Sequence, residues 1–195
     1  MNKKVEWKGH LLFENWIKQH LTSYIQHLSS NTRHQRSEIK TLQRMTREDL
    51  QQDLAGRFPD FTFEEGGQFL TMHVPAAQWS NIAYFLRDTP EMQFDFLFCL
   101  TCVDWLKHLT MLYHLRSYTH KHELVIKCQL DRDNAEIASA AYIWRTAEFH
   151  EREVFELFGV NFLQHPDLRK LILPDDWVGY PLRKDYDDPV NMIKL

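Results

Sequence analysis

Three apolar runs rich in aromatic and β-branched residues sit close together in the middle of the chain: Met92 to Trp105, Thr110 to Tyr118 and Leu124 to Leu130. Each is long enough for a strand, and only short polar stretches separate them. Strands joined by short turns commit this region to a largely antiparallel sheet. Upstream, Phe61 to Glu65 and Phe69 to Val74 flank Gly66-Gly67, which is a hairpin signal. Helices are expected around these strands. Thr46 followed by Asp49 is a capping-box pattern that opens a short helix carrying Leu50, Leu54 and Phe58, stopped by Pro59. Pro75 starts a second, Ala76 to Arg87, with Trp79, Ile82, Ala83 and Leu86 on one face. A third is predicted from Asn134 to Phe158, ended by Gly159 in a left-handed cap. The order helix, two strands, helix, three strands, helix predicts a two-layer α+β domain over residues 46–159. Its sheet is mostly antiparallel, with helices on one face.

The two ends read differently. Residues 1–45 hold an amphipathic helix over 10–29, with Leu12, Trp16, Leu21, Ile25 and Leu28 at helical spacing. A polar, basic-leaning connection follows. It lacks interleaved aromatics and is diluted by nearby acids, so a solvated connection is favoured over a nucleic-acid patch. Residues 160–195 hold four of the seven prolines, which exclude a long helix or a central strand there. Yet Leu168, Leu171, Ile172, Leu173, Trp177, Tyr180 and Leu182 make this tail too apolar to stay unpacked. It is expected to be an extended arm lying on a surface, either of its own domain or of another protein.

Several classes of function are disfavoured. A net charge of -4 leaves no phosphate-binding footprint. The longest clean apolar run, Phe96 to Leu100, is far short of a membrane span, and the N-terminus does not read as a signal peptide. Three cysteines argue against a disulfide framework and for the cytoplasm, so membrane contact is expected only through a partner. Cys99 and Cys102 form a C-x-x-C, but on a strand residues three apart face opposite sides, which disfavours a shared metal or disulfide. His150-Glu151 resembles the start of a zinc-protease motif, but Val154 stands where the second histidine belongs. No glycine-rich phosphate loop or nucleophile elbow is present. Glu151/Glu153 and Asp175/Asp176 are carboxylate pairs of a kind common by chance. Glu153 and Glu156 are three apart and are expected side by side on the helix surface, where they repel unless a cation intervenes. Arg169, Lys170, Arg183 and Lys184 follow in the arm and can supply one, within the chain or across an interface.

The segment from Glu151 to Phe158, then His165, Arg169, Leu171-Ile172 and the run LPDDWVGYPLRKDY at 173–186, resembles the signature of the 30-kDa (C) subunit of respiratory complex I. FCLTCVDW at 98–105 is similar to that family's strand ending in Thr-x-x-Asp-aromatic. The resemblance covers roughly residues 45 to 190. Phe149 and Tyr180 depart from it, standing where Trp and His are common. The resemblance implies a structural subunit in the peripheral arm of a proton-translocating NADH:quinone oxidoreductase, on the cytoplasmic side of the membrane, or the matrix side if mitochondrial. The equivalent subunit of a related membrane-bound hydrogenase or ferredoxin-linked quinone oxidoreductase is a close alternative. A stand-alone thiol enzyme using Cys99 and Cys102 is a rival. The resemblance further implies that this chain has no catalytic residues and binds no cofactor, while the assembled complex uses FMN, iron–sulfur clusters, NADH and quinone. The expected partners are the 49-kDa-type (D) subunit and the cluster-bearing B-type subunit. The expected interface residues are Glu151, Arg152, Glu153, His165, Arg169, Asp175, Asp176, Trp177, Arg183, Lys184, Asp185 and Tyr186. Leu171, Ile172, Trp177 and Leu182 are its expected anchors.

Overall fold

A computed structural model describes residues 45–64 and 66–188. The helix expected over 10–29, and all but the end of the polar stretch after it, lie outside the described residues.

Helix α1, Arg47–Arg57, opens on the expected capping box: Thr46 accepts from the Asp49 amide, and Asp49 accepts from the Thr46 amide. It buries Leu50 and Leu54. Strands β1, Thr62–Glu64, and β2, Thr71–His73, pair antiparallel around the turn that contains Gly66 and Gly67, both at positive φ. A 3₁₀ turn at Ala76–Gln78 leads into α2, Trp79–Asp88. Long strands follow as predicted: β3, Phe96–Asp104, β4, His108–Arg116, and β5, Glu123–Asp131. The five strands are ordered β1-β2-β5-β4-β3, antiparallel except for the β2–β5 pair.

Alternation along the strands makes one face of this sheet the core. Leu109, Met111, Tyr113 and Leu115 of β4 are buried, as are Leu124, Ile126, Cys128 and Leu130 of β5. In β3 a register shift between Leu97 and Cys99 resets the alternation, so Leu97, Leu100 and Cys102 are all buried. Against this face pack Trp79, Ile82, Ala83 and Leu86 of α2. The Trp79 and Tyr113 rings stack with centroids 3.9 Å apart. Each such fully buried large side chain contributes roughly 2–3 kcal/mol through apolar burial.

One element differs from expectation. The helix predicted from Asn134 begins only at Ala147, giving α3, Ala147–Phe158. Residues 136–138 instead form β6, Glu136–Ala138, which pairs in parallel with β7, Asn161–Leu163. The intervening Ala- and Trp-containing segment has helical composition, but its apolar side chains Ile137, Ala140, Ile143 and Trp144 are buried in the core from strand and turn backbone. Its amides and carbonyls find long-range partners, such as Asn161 N–H on the Ala135 carbonyl and Ser139 N–H on the Leu163 carbonyl. The strand pairing that decides the conformation lies beyond any local window. Helix α3 does end as expected at Gly159, with φ of 74°.

Candidate functional site

Helix α3 presents two charged side chains one turn apart, and both are buried. Arg152 donates to the carbonyls of Arg169 and Lys170, each at 3.0 Å. Glu156 accepts the amides of Leu171 at 2.9 Å and of Ile172 and Leu173 at 3.0 Å. The helix therefore reads the arm's backbone in order, two carbonyls on a cation and then three amides on an anion. This corrects the expectation that Glu156 lies on the surface beside Glu153. Glu156 is 2% exposed, and the groups that balance its charge are backbone amides rather than a lysine or arginine.

Further contacts fix the rest of the arm. His165 packs its ring inside, its Nε2 at 3.0 Å from the Glu148 carbonyl while Nδ1 accepts the Asp167 amide. Lys170 holds the bend that follows by donating to the carbonyls of Pro174, Asp175 and Trp177. The helix C-terminus leaves carbonyls unpaired, and the arm supplies donors: Leu182 N–H to Leu157 and the Arg183 guanidinium to Phe158, the latter at 2.7 Å. Gly159 serves twice here. Its φ is left-handed, and a Cβ would collide with the Tyr180 ring.

The arm's end is fixed by a second carboxylate, on the sheet. Asp104, at the end of β3, accepts from Arg132 twice, from the Leu106 amide at 2.7 Å and from the Lys184 amide at 2.9 Å. Arg132 also bonds Asp185. Hydrogen bonds from Arg132 hold the Asp104 carboxyl far below the usual carboxylate range, against the opposing effect of burial.

Of the twelve expected interface residues, Arg152, His165, Arg169, Arg183, Lys184 and Asp185 all belong to this arm-holding network through a side chain or the backbone. Glu151 and Arg152 are 0% and 6% exposed, with their polar atoms engaged inside, so neither has a surface to offer a partner. The Glu151 carboxylate accepts from the Ser139 hydroxyl and the Ala140 amide, and burial pushes its pKa up to about 7. Glu153 remains partly exposed, 4.0 Å from His150. Arg169 pairs with Asp167. Asp175 and Asp176 are exposed, and Trp177 and Tyr186 are half-buried, with the Tyr186 ring lying against Gly179. Among the expected anchors, Ile172 and Leu182 are 66% and 52% exposed. Sequence reasoning missed Arg132 altogether. It met Asp104 only as part of the aromatic-ended strand pattern, and 80 residues separate that carboxylate from the Lys184 amide it holds.

The thiol rival meets an electrostatic obstacle. Cys102 and Cys128 lie in the core, and burial raises both thiols, Cys102 to about 12. Burial raises Cys99 too, so none is poised as a thiolate nucleophile. Three cysteines, two of them core residues, also do not fit a four-thiolate iron–sulfur cluster. A cavity of about 590 Å³ lies at the other end of β4, between Arg47, Phe69 and the Lys121–Glu123 turn, and includes none of the expected site residues. Among the described residues, no helix is long and apolar enough to cross a membrane.

Residues 72–190 match the family described as respiratory-chain NADH dehydrogenase, 30 Kd subunit. The C-type subunit of the NADH-quinone oxidoreductase of Chloroherpeton thalassium is 44% identical over 110 residues, which is 55% of this chain and 46% of that relative. The chain thus spans less than half the length of that relative. The C-type subunit of the F(420)H(2) dehydrogenase of Methanosarcina mazei is 36% identical over 142 residues, covering 70% of this chain and 89% of that one. A solved structure of the membrane-bound sulfane sulfur reductase, an archaeal respiratory membrane complex, aligns with a TM-score of 0.62 at 25% identity, over 72% of this chain and 85% of that one.

Proposed function

The chain belongs to the family of the respiratory-chain NADH dehydrogenase 30 Kd subunit, and on that footing we propose that it is a structural subunit in the peripheral arm of a proton-translocating NADH:quinone oxidoreductase. It braces the 49-kDa-type subunit near the quinone site while electrons pass from NADH to quinone. The B-type subunit is a further neighbour. FMN, the iron–sulfur clusters, NADH and quinone belong to the other subunits, and this chain contributes no catalytic residue. It reaches the membrane only through the assembly, on the cytoplasmic side, or the matrix side in a mitochondrion.

One observation carries this reading. The arm spends its backbone polar groups on Arg152, Glu156 and Asp104, while Ile172, Val178 and Leu182 stay outside, Val178 at 84% exposed. An arm kept in order by buried charges, with apolar side chains turned outward, is prepared for a partner. It loses little further entropy on docking. Asp175 and Asp176, exposed and between Ile172 and Val178 in the chain, supply polar contacts to that partner.

A second reading is favoured by the match to the F(420)H(2) dehydrogenase and by the likeness to the archaeal reductase complex. In it the same subunit serves a complex with another electron donor. One experiment separates the two. The tagged chain is purified from gently solubilised native membranes, and the co-purifying proteins are identified. Flavin- and cluster-bearing subunits with NADH:quinone activity support the first reading. Subunits of a different donor module move the chain to the second. Recovery of the chain alone overturns both.

A further inference from the structure

We propose that the β3–β4 hairpin tip, Trp105-Leu106-Lys107, is a second docking element that inserts into an apolar pocket rimmed by carboxylates on a neighbouring protein subunit. This rests on the reading of the chain as a subunit of a larger complex and adds a contact outside the arm.

Leu106 is the first reason. It occupies the first central position of the two-residue hairpin loop, closed by Trp105 N–H on the His108 carbonyl. Its φ is 69°, a left-handed conformation that glycine adopts freely and leucine does not. A bulky side chain held there in strain and left more than half exposed points to use elsewhere. Among the described residues Leu106 is left 57% exposed and the adjacent Trp105 56%. Asp104 keeps the tip in this shape by accepting the Leu106 amide.

Charge and continuity choose the partner. Lys184 sets its ammonium 5.7 Å over the Trp105 ring, and Lys107 has no ion-pair partner among the described residues. Two cations therefore flank two exposed apolar side chains, which suits a pocket with an acidic rim. The tip is also continuous with the arm. The carboxylate that holds Leu106 holds Lys184 as well, and exposed Leu182 and Tyr180 lie just before it in the chain. An anionic lipid surface would share the appetite for Trp, Leu and Lys. The continuity of the tip with the arm through Asp104 favours a protein neighbour over it.

The test compares tagged full-length wild type, Leu106→Gly and Lys107→Glu in native membranes, with recovered partner subunits quantified by mass spectrometry. Leu106→Gly removes the side chain and relieves the strain together. It is expected to leave the thermal midpoint of the purified chain unchanged or higher while partner recovery falls about tenfold. Lys107→Glu is expected to lower recovery severalfold at an unchanged midpoint. Recovery at the wild-type level in both variants overturns the tip proposal and leaves the subunit reading intact. A wild-type chain that recovers no partner overturns the subunit reading and the tip with it. Co-sedimentation of the full chain with vesicles of neutral and anionic phospholipid, abolished by Trp105→Ala, would replace the protein pocket by a membrane surface.

Discussion

Glu151 and Glu156 lie on the same helix and are equally hidden, yet their surroundings give them opposite roles. Glu156 has three backbone amides pointing at it. Glu151 has one hydroxyl and one amide, with His165 Nε2 3.8 Å away. Arg152 is turned toward the arm carbonyls. Burial therefore dominates at Glu151 and raises its carboxyl to about 7 from an ordinary 4.5. The folded state binds this proton more tightly than the unfolded chain does. Its stabilising contribution is complete below about pH 4.5 and is lost as pH rises through about 7, a change of roughly 3 kcal/mol. Glu151→Gln should flatten this part of the curve of stability against pH, measured by denaturant unfolding. An unchanged slope in the variant would place the titration elsewhere. For Glu156→Ala the expectation is local. Three amides lose a charged acceptor, which weakens arm docking by roughly 2–4 kcal/mol. Trypsin should then cut after Arg169 and Lys170 much faster, while the strands stay resistant. Wild-type cleavage rates there would mean that the clamp contributes nothing.

Among the helices and strands, local signals in the sequence suffice wherever the deciding contact is local. The Thr46–Asp49 capping box, the Gly66-Gly67 turn and the Gly159 cap each act within a few residues, and each forms as read. The segment 134–146 escapes such reading because its conformation is set by pairing with β7, some 25 residues downstream. The arm is legible as an element, from its prolines and apolar residues, but the surface it lies on is not. Only the fold brings Arg152 and Glu156 to residues 169–173, or Asp104 and Arg132 to residues 184 and 185. At the β3 end one carboxylate joins three elements, so its removal should be felt in all of them. Asp104 is held well below its ordinary 3.8, so its contribution is present above that value and lost only as pH falls well below it. Asp104→Asn leaves Arg132 underpaired and should cost about 3–5 kcal/mol near neutral pH. The gap between variant and wild type should narrow in strong acid, as thermal unfolding across pH would record. A gap that stays constant with pH would show that the charge is not what matters.

Taken as one body, the described residues form a single compact unit, arm included. The block from Glu151 to Tyr186 stands out in the sequence by its spacing. Inside the fold it divides into residues that hold the arm, such as Arg152 and Glu156, and residues that the arm displays, such as Ile172 and Leu182. Sequence spacing carries no mark of that division, since both kinds alternate along one stretch of chain. The hydrogen bonds to Arg152, Glu156 and Asp104 make the arm part of the fold before any partner arrives. Hydrogen–deuterium exchange on the isolated full-length chain would probe this without any partner present. The amides of Leu171, Ile172, Leu173, Leu182 and Lys184 should exchange slowly, at rates approaching those of the central strands. Rapid exchange along the whole of 168–186, with protection gained only in the assembled complex, would contradict it and make the arm a segment that its partner folds.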